Sequence, residues 1–505
     1  MSVTPGETGI GWAYGGERIV LALVSIVAGW LFLQRLLRSP YRLPPGPWSV
    51  PVLGSMLWID HKAPFRTFSQ WADKYGRFFY ARLGKDPVVV VNDAALVRQI
   101  FSSDAFQKRP HMPGTTQRLQ ETHGLHCGLI FDDGDSWKEH RRFVLRALKD
   151  FGMGGRSIEE KVAEEAGYLM ELFRDTREAP FDDKIFISTA VANVISNVVA
   201  NRRYDVNDPE FVNLLNCIAR LFRSSFASAL LGSYPALKAI PPFRAVWQGF
   251  QSAADTITAF FDRQVQDHLG SSRENDQRDL IDAYITALRR QEFGTFAERQ
   301  LLYIVEDLME AGYETTTTTL RWAFLLMCAY PEVQDRVQKE LDSCVPAGSG
   351  ARPSEQLSLP FTEAVLAEVH RYASIVPWGV MHVASADSQL EGYDLPRGTW
   401  ILPNLYHIHH DPALWEEPHQ FRPERFLTAD GQLQRLPDYW MPFSVGKRRC
   451  PGESLAQVEF LMFFTAVLRN FRLQLPGGPQ SADLRPVPGA TSDTALHSLM
   501  AIPRS

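Results

Sequence analysis

One cysteine stands in a loop rich in glycine and arginine, Phe443–Ala456, with the sequence FSVGKRRCPGESLA. A proline and then an acid follow Cys450, so the pattern predicts a helix that begins directly after the cysteine, with Cys450 at its N-cap. The unpaired N–H groups at a helix start lower the pKa of a nearby thiol and favour thiolate. Gly446 lets the backbone pass close to a large flat partner, and Arg448 can bind a carboxylate through two hydrogen bonds. A single thiolate beside such an arginine is the chemistry of one wall of a haem pocket.

Five residues of this loop fit the pattern FxxGxRxCxG, namely Phe443, Gly446, Arg448, Cys450 and Gly452. On these residues the chain resembles the cytochrome P-450 monooxygenases. The resemblance implies haem b (iron protoporphyrin IX) as the cofactor, with the Cys450 sulfur as the axial ligand of the iron. It also implies that Phe443, Gly446 and Arg448 contact the haem. The alternative is a buried structural cysteine before a core helix.

Other residues could donate hydrogen bonds to an anionic group. Trp137 and Arg141 are four residues apart in SWKEHRRF and share one helix face. An indole N–H and a guanidinium on that face can both donate to one acceptor. The resemblance implies that both bind a haem propionate and that His382 does so too. The alternatives are a solvated arginine beside a core tryptophan, and a histidine that only packs.

The longest segment with helical periodicity, Phe296–Tyr330, contains AGYET. Ala311 and Thr315 are four residues apart and share a helix face, whereas Tyr313 points away from it. The family's pattern AGxET matches at four fixed positions. The resemblance implies that Thr315 and Glu314 organise water and protons for oxygen activation, with Ala311 in the substrate pocket. A core helix with a packing notch of small residues is the alternative.

Three other segments are expected to surround a substrate pocket. Ile375 and Val376 precede Pro377, which favours extended backbone before it. The resemblance implies that they line the pocket near the haem. It also implies that Phe106–Phe131, a long loop without periodicity, lies over the haem. The apolar, proline-broken segment Leu230–Phe243 is expected to be a lid that dips into the membrane; a buried connection is its alternative.

A helix ending in LAEVHRY carries Glu368 and Arg371 three residues apart. Burying either charge alone would be costly, so the two are expected to pair, with Arg425 of the downstream PERF segment as a third member. This order matches a structural triad of the family. The resemblance implies that the triad holds the cysteine side of the fold and is not catalytic.

The elements that must position these residues are mostly helical. Strands are predicted at Phe78–Leu83 and Pro87–Val91, with another strand pair across Leu390–Leu402. The predicted fold class is therefore mainly α with a small β region (α+β). We expect one large haem domain over residues 43–505, behind an N-terminal membrane anchor.

Residues 1–42 are interpreted as a signal anchor that crosses the membrane at about residues 19–37. The uncharged run Ile19–Leu33 would rise only about 22 Å as a helix, so flanking residues must help to span a core of roughly 30 Å. Arginines follow the run, which places its carboxyl side in the cytosol. A cleaved signal peptide is the alternative. The stiff segment Leu43–Pro47 is predicted to be a hinge.

Composition excludes several other classes of protein. The 505 residues are 45% hydrophobic and 22% charged, which is ordinary for a globular protein. A net charge of -6 argues against a nucleic-acid surface. The five cysteines are scattered without a CxxC pair, so neither a disulfide framework nor a zinc site is predicted, and a reducing compartment is favoured.

The resemblance, closest to the animal microsomal branch, implies a monooxygenase that inserts one oxygen atom from O2 into a lipophilic small molecule. It implies NADPH as the electron source, through a membrane-bound flavoprotein reductase, and the cytosolic face of the endoplasmic reticulum membrane as the location. Arg142, Lys447 and Arg449 are candidates for the reductase-docking face. A reductase-independent haem-thiolate isomerase or dehydratase, and a non-enzymatic membrane haem-binding protein, are the alternatives.

Overall fold

A computed structural model describes residues 24, 25, 29, 40–110, 127–152, 155–273 and 277–504. Nearly all of the predicted anchor, and the central part of the predicted loop Phe106–Phe131, lie outside the described residues. The membrane span at about residues 19–37 therefore stays a prediction. The adjoining hinge is described, and it is fastened to the folded body, since Pro44 is buried and the Pro45 carbonyl accepts from Tyr80 N at 2.9 Å.

Helices dominate the described residues, which confirms the predicted fold class. Their bounds are α1 Pro64–Tyr75, α2 Ala94–Ser102, α3 Gly134–Asp150, α4 Arg156–Asp175, α5 Lys184–Ala200, α6 Pro209–Ser233, α7 Pro241–Ser271, α8 Leu280–Arg289, α9 Glu298–Ala329, α10 Pro331–Cys344, α11 Pro360–Ala373, α12 Leu405–His410 and α13 Glu453–Asn470.

The strands of the described residues are short and form three small sheets. Their bounds are β1 Phe78–Leu83, β2 Asp86–Val91, β3 His382–Val383, β4 Ser388–Leu390, β5 Tyr393–Leu395, β6 Trp400–Pro403, β7 Phe471–Gln474 and β8 Met500–Pro503. The order β1-β2-β6-β3 forms a four-stranded sheet, while β4 pairs with β5 and β7 with β8.

The predicted strand pair across Leu390–Leu402 is corrected by these pairings. Leu390 pairs with Tyr393 in the tight β4–β5 hairpin, whereas β6 leaves that hairpin and runs parallel to β2. The reason is burial: β2 ends in four consecutive buried valines, Val88–Val91, and needs a partner strand on its open edge. Local sequence could not identify that partner, because β2 and β6 are more than 300 residues apart.

Helix α9 is the axis of the core. It packs against α5, whose residues from Ile187 to Ala200 are almost all buried, and against α13. Its second half, Thr316–Cys328, is buried on all sides, so each large apolar side chain there contributes roughly 1.5–3 kcal/mol. Its first half is only partly buried, and one face of that half borders a cavity. The second half of the helix is therefore held in the core, and its first half forms part of the cavity wall.

One helix among the described residues, α6, is long and apolar enough to cross a membrane. Buried positions make up 39% of its most apolar window, and the helix packs along α7. Part of its apolar side is therefore a packing surface of the folded body.

Candidate functional site

The cysteine loop ends two residues later than predicted. Helix α13 begins at Glu453 with Gly452 at its N-cap, so Cys450 precedes the cap. The Cys450 N–H donates to the Phe443 carbonyl at 3.1 Å and closes the loop. Gly446 has φ +78°, and a Cβ there would overlap the carbonyl group of Phe101. The glycine is therefore required by the close approach of α2, and its predicted contact with a flat partner stays a prediction.

The predicted lowering of the Cys450 pKa is also corrected. Part of the Cys450 residue is accessible from solvent, but protein atoms surround its thiol closely. This burial raises the pKa of the thiol. The Gly452 N–H and the guanidiniums of Arg141 and Arg449 act in the opposite direction but do not outweigh burial. The field at the start of helix α13 therefore acts in the expected direction but is smaller than the effect of burial. Because a coordinating metal ion deprotonates a thiol outright, ligation would make the thiolate where the protein alone does not.

Two buried donors near this loop lack any partner among the described residues. Trp137 on α3 is 6% exposed, and its indole Nε1 is unpaired. The Arg448 guanidinium stacks on the Trp137 ring at 3.7 Å and donates to the carbonyls of Asp132 and Gln107, but its Nη1 is also unpaired. A buried donor without a partner costs about 1–3 kcal/mol. The two orphaned donors therefore mark a place for an acceptor.

Other guanidiniums crowd the same place. Arg141 donates to the Arg449 carbonyl at 2.5 Å, and Arg109 donates to the Ile130, Val380 and Met381 carbonyls. Burial, followed by repulsion from Arg448 and Arg141, lowers the pKa of Arg109 well below its usual range. Burial lowers the pKa of Arg448 to about 9. The sequence offered no signal for Arg109, a lone arginine before a loop.

An anionic group would relieve this crowding. Three guanidiniums and an indole N–H converge, and no described carboxylate pairs with Arg109, Arg141 or Arg448. A ligand with two carboxylates suits such a donor set, because guanidinium–carboxylate hydrogen bonds are charge-assisted. The residues present therefore fit the two propionates of haem b.

His382 lies against this cluster in a neutral form. Its ring stacks on Phe101 with centroids 3.7 Å apart, and its Nδ1 lies 2.5 Å from the Phe106 carbonyl. Burial, followed by repulsion from Arg109, lowers the pKa of His382 to about 2. The carbonyl assigns the proton to Nδ1, which leaves a lone pair at Nε2. His382 would therefore donate to a propionate only after gaining a proton, so its predicted role stays a prediction.

A cavity of about 630 Å³ lies along the first half of α9. Ala311, Thr315 and Val376 are on its wall, as predicted for the substrate pocket, whereas Ile375 is not among the lining residues. Ile375 packs against the core, and its carbonyl accepts from Ser492 N at 2.7 Å. Its neighbour Val376 faces the cavity instead.

Thr315 presents its hydroxyl at this wall. Its Oγ1 donates to the Ala311 carbonyl at 2.7 Å, one turn earlier in α9. Thr319 repeats the same bond to the Thr315 carbonyl at 2.9 Å, away from the cavity. Tyr313 faces the other way, as predicted, with its hydroxyl donating to the Leu215 carbonyl at 2.8 Å.

Glu314 does not line the cavity. It is 2% exposed, its Oε2 has no partner among the described residues, and burial raises its pKa. Its electrostatic neighbours are Lys184, Asp493 and Arg223. Asp493 accepts from Lys184 at 3.0 Å, Arg223 at 3.1 Å and Arg321 at 2.8 Å. Glu314 therefore lies beside a buried ionic network behind the wall, one residue from Thr315.

The residues of the predicted structural triad lie together. Arg371 donates to both carboxylate oxygens of Glu368, at 2.7 and 2.8 Å, and Arg425 donates to Glu368 at 3.1 Å. Glu368 and Arg371 are 0% exposed. Arg371 also donates to the carbonyls of His409 and Pro418. The cluster thus fastens α11 to the segment that leads into the cysteine loop.

The candidate docking residues are only partly available. Lys447 pairs with Asp104 at 2.5 Å, and Arg449 pairs with Glu453 at 2.5 Å. Both basic side chains are exposed, although Glu453 is mostly buried, and an ion pair of an exposed side chain is weak. Their role in docking stays a prediction.

Comparison with known proteins gives a consistent result over the whole chain. The family model described as Cytochrome P450 matches residues 44–494. Cytochrome P450 2B4 of Oryctolagus cuniculus is 36% identical over 481 residues, which cover 93% of this chain and 96% of the relative. Cytochrome P450 2J2 of Homo sapiens is 34% identical over 503 residues, covering 98% and 97%. Cytochrome P450 2J3 of Rattus norvegicus is 35% identical over 514 residues, covering all of both chains.

Proposed function

The chain belongs to the cytochrome P450 family of oxidoreductases, in its animal microsomal branch, and we propose that this monooxygenase inserts one oxygen atom from O2 into a lipophilic small molecule. The observation that carries the substrate class is the cavity beside α9, whose wall is mostly apolar and includes Ala311 and Thr315. The family's cofactor is haem b, and NADPH supplies the electrons through a reductase.

The residues that would hold the haem are those of the cysteine loop and of the donor cluster. Cys450 would bind the iron through its sulfur. Trp137 Nε1 and Arg448 Nη1 would donate to the propionates, with Arg109 and Arg141 balancing their charge. When bound, haem supplies the redox chemistry that activates dioxygen.

Proton delivery is assigned to α9. Thr315 holds a hydroxyl at the cavity wall, and a rotation about χ1 would release it from the Ala311 carbonyl and let it donate into the cavity. Glu314, buried with a raised pKa, can hold a proton at Oε2 directly behind this position. Lys184 and Asp493 form the network through which that proton would be replaced.

Substrate entry is assigned to the predicted lid, Leu230–Phe243. Its first part, Leu230, Ser233 and Tyr234, lines the cavity. Its last part is exposed and apolar, with Ile240 at 44% and Phe243 at 38% exposure. The segment thus connects the cavity to an apolar surface, which suits molecules that arrive from a membrane. We place the catalytic domain on the cytosolic face of the endoplasmic reticulum membrane, with the reductase as its partner.

The test is turnover by the purified protein with a flavoprotein reductase. Product should require NADPH and reductase, and should gain mass from labelled O2. Thr315→Ala should divert electrons to hydrogen peroxide, whereas Thr319→Ala, which loses the same type of bond away from the cavity, should keep normal coupling. Product without NADPH would instead indicate an isomerase or dehydratase, and haem binding without any product would indicate a binding protein.

A further inference from the structure

One acidic side chain on the cavity wall is left without a partner. Glu310 lies on α9, directly before Ala311, and lines the cavity. Among the described residues it forms neither a hydrogen bond nor an ion pair. The surrounding wall is mostly apolar, with contributions from Phe68, Phe131 and Phe222. An acid in such a wall does not help the protein to fold, because nothing compensates its desolvation.

Two nearby polar groups on the same wall are already engaged. Asp307 accepts from Ile130 N at 2.8 Å and from Leu129 N, so it fixes the end of a loop. Arg223 donates to Asp493 at 3.1 Å. Glu310 differs from both, because its carboxyl group is left for a molecule in the cavity.

The physical chemistry of Glu310 favours a cationic ligand. Burial, and repulsion from Glu306 and Asp307, raise its pKa well above the usual range, so without a ligand the carboxyl group holds its proton. A cation in the cavity would let the group ionise and would pair with it in a medium of low dielectric constant. A neutral molecule has no such Coulombic gain, and an anion would keep the carboxyl group protonated and form no ion pair with it.

We propose that Glu310 binds the positively charged nitrogen of a lipophilic substrate, so that the preferred substrates are hydrophobic amines or ammonium compounds. The proposal rests on the proposed function for the identity of the cavity as the substrate site.

Binding to the haem-loaded protein tests the proposal without NADPH or reductase. Three probes of equal length are titrated by calorimetry: octyltrimethylammonium, its neutral isostere with a tert-butyl group in place of the ammonium, and decanoate. The quaternary nitrogen has no lone pair and cannot ligate iron. The native protein should bind the ammonium compound most tightly. Glu310→Gln should weaken that binding by at least ~10-fold and change the binding of the neutral isostere by less than ~2-fold.

Two further variants keep the result interpretable. Glu298→Gln removes an exposed acid from the first turn of the same helix, outside the cavity, and should leave all three affinities unchanged. Glu310→Asp keeps the charge and should retain the preference for ammonium even if Glu310→Gln folds poorly. Equal binding of the ammonium compound and the neutral isostere would overturn the proposal. The proposal would also be overturned if decanoate bound most tightly and Arg223→Gln weakened that binding. The preferred ligands would then be carboxylates.

The two proposals fail in different ways. A protein that prefers the ammonium probe through Glu310 but yields no oxygenated product would refute the monooxygenase proposal alone. A protein that oxidises neutral lipophiles and shows no preference for the ammonium probe would refute the role of Glu310 alone.

Discussion

Trp137→Phe should loosen the haem although it removes no bond within the described protein. The indole Nε1 is buried and has no partner among the described residues, and the ring supports the Arg448 guanidinium at 3.7 Å. Phenylalanine keeps an aromatic face under that guanidinium but has no N–H. The substitution therefore isolates the donor that we assign to a propionate.

The expected size follows from the charge of the acceptor. A hydrogen bond to a charged group contributes about 1.5–3 kcal/mol, which corresponds to about 10- to 150-fold in haem affinity. If the indole N–H had no acceptor even in the loaded protein, its removal would relieve an unsatisfied donor instead, and haem affinity would not fall. The haem affinity of Trp137→Phe therefore distinguishes the two cases: it falls if the indole N–H donates to a propionate, and it does not fall if the N–H has no acceptor.

Trp415→Phe is the matched control. Trp415 is 4% exposed and has the Arg371 guanidinium over its ring at 5.4 Å, but its indole N–H already donates to the Ile408 carbonyl at 3.0 Å. Its substitution should lower the unfolding temperature without a specific loss of haem. The assay is the rate of haem transfer to excess apomyoglobin, with thermal unfolding measured in parallel. Equal transfer rates for Trp137→Phe and Trp415→Phe would refute the reasoning.

Three other predictions concern the ligand, the triad and the anchor. Cys450→Ala should abolish thiolate-type haem absorption, and an unchanged spectrum would refute the ligand assignment. Glu368→Gln should lower the free energy of unfolding by about 3–5 kcal/mol, because it leaves buried guanidiniums without their carboxylate. The control Glu424→Gln, at an exposed ion pair, should change the free energy of unfolding by less than about 1 kcal/mol. Equal losses of unfolding free energy for the two variants, measured in urea, would contradict the triad's role. Deletion of Met1–Arg38 should release the protein from microsomes on fractionation; full retention would point to the surface of Leu230–Phe243 as the anchor.

Some of the site was predictable because it is encoded locally. The helical period of Phe296–Tyr330 predicted α9, observed as Glu298–Ala329, and the period alone placed Tyr313 opposite Ala311 and Thr315. Spacing also predicted that Glu368 pairs with Arg371. These features depend on residues three or four apart, whose relative positions the helix determines by itself.

Other predictions were wrong where neighbours distant in sequence decide. The thiol pKa was expected to fall, but burial within the folded body raises it. For Gly446 the sequence did not predict the close approach of the Phe101 backbone, which alone requires a glycine there. Ile375 was expected at the cavity, but its side chain packs against the core and its carbonyl accepts from Ser492 N. The contacts of Gly446 and Ile375 come from segments at least a hundred residues away. The burial of Cys450 comes from many segments together.

The amino-acid sequence by itself determined the family, the mainly helical fold and the cysteine loop, and it predicted the residues that would face a haem, because short patterns encode them. Only the tertiary structure revealed that Arg109 joins Arg448 around two orphaned donors, that Glu314 lies behind the cavity wall, and that Glu310 stands free on it. Those facts depend on desolvation and on the proximity of charges from distant segments. Both arise only when the chain folds.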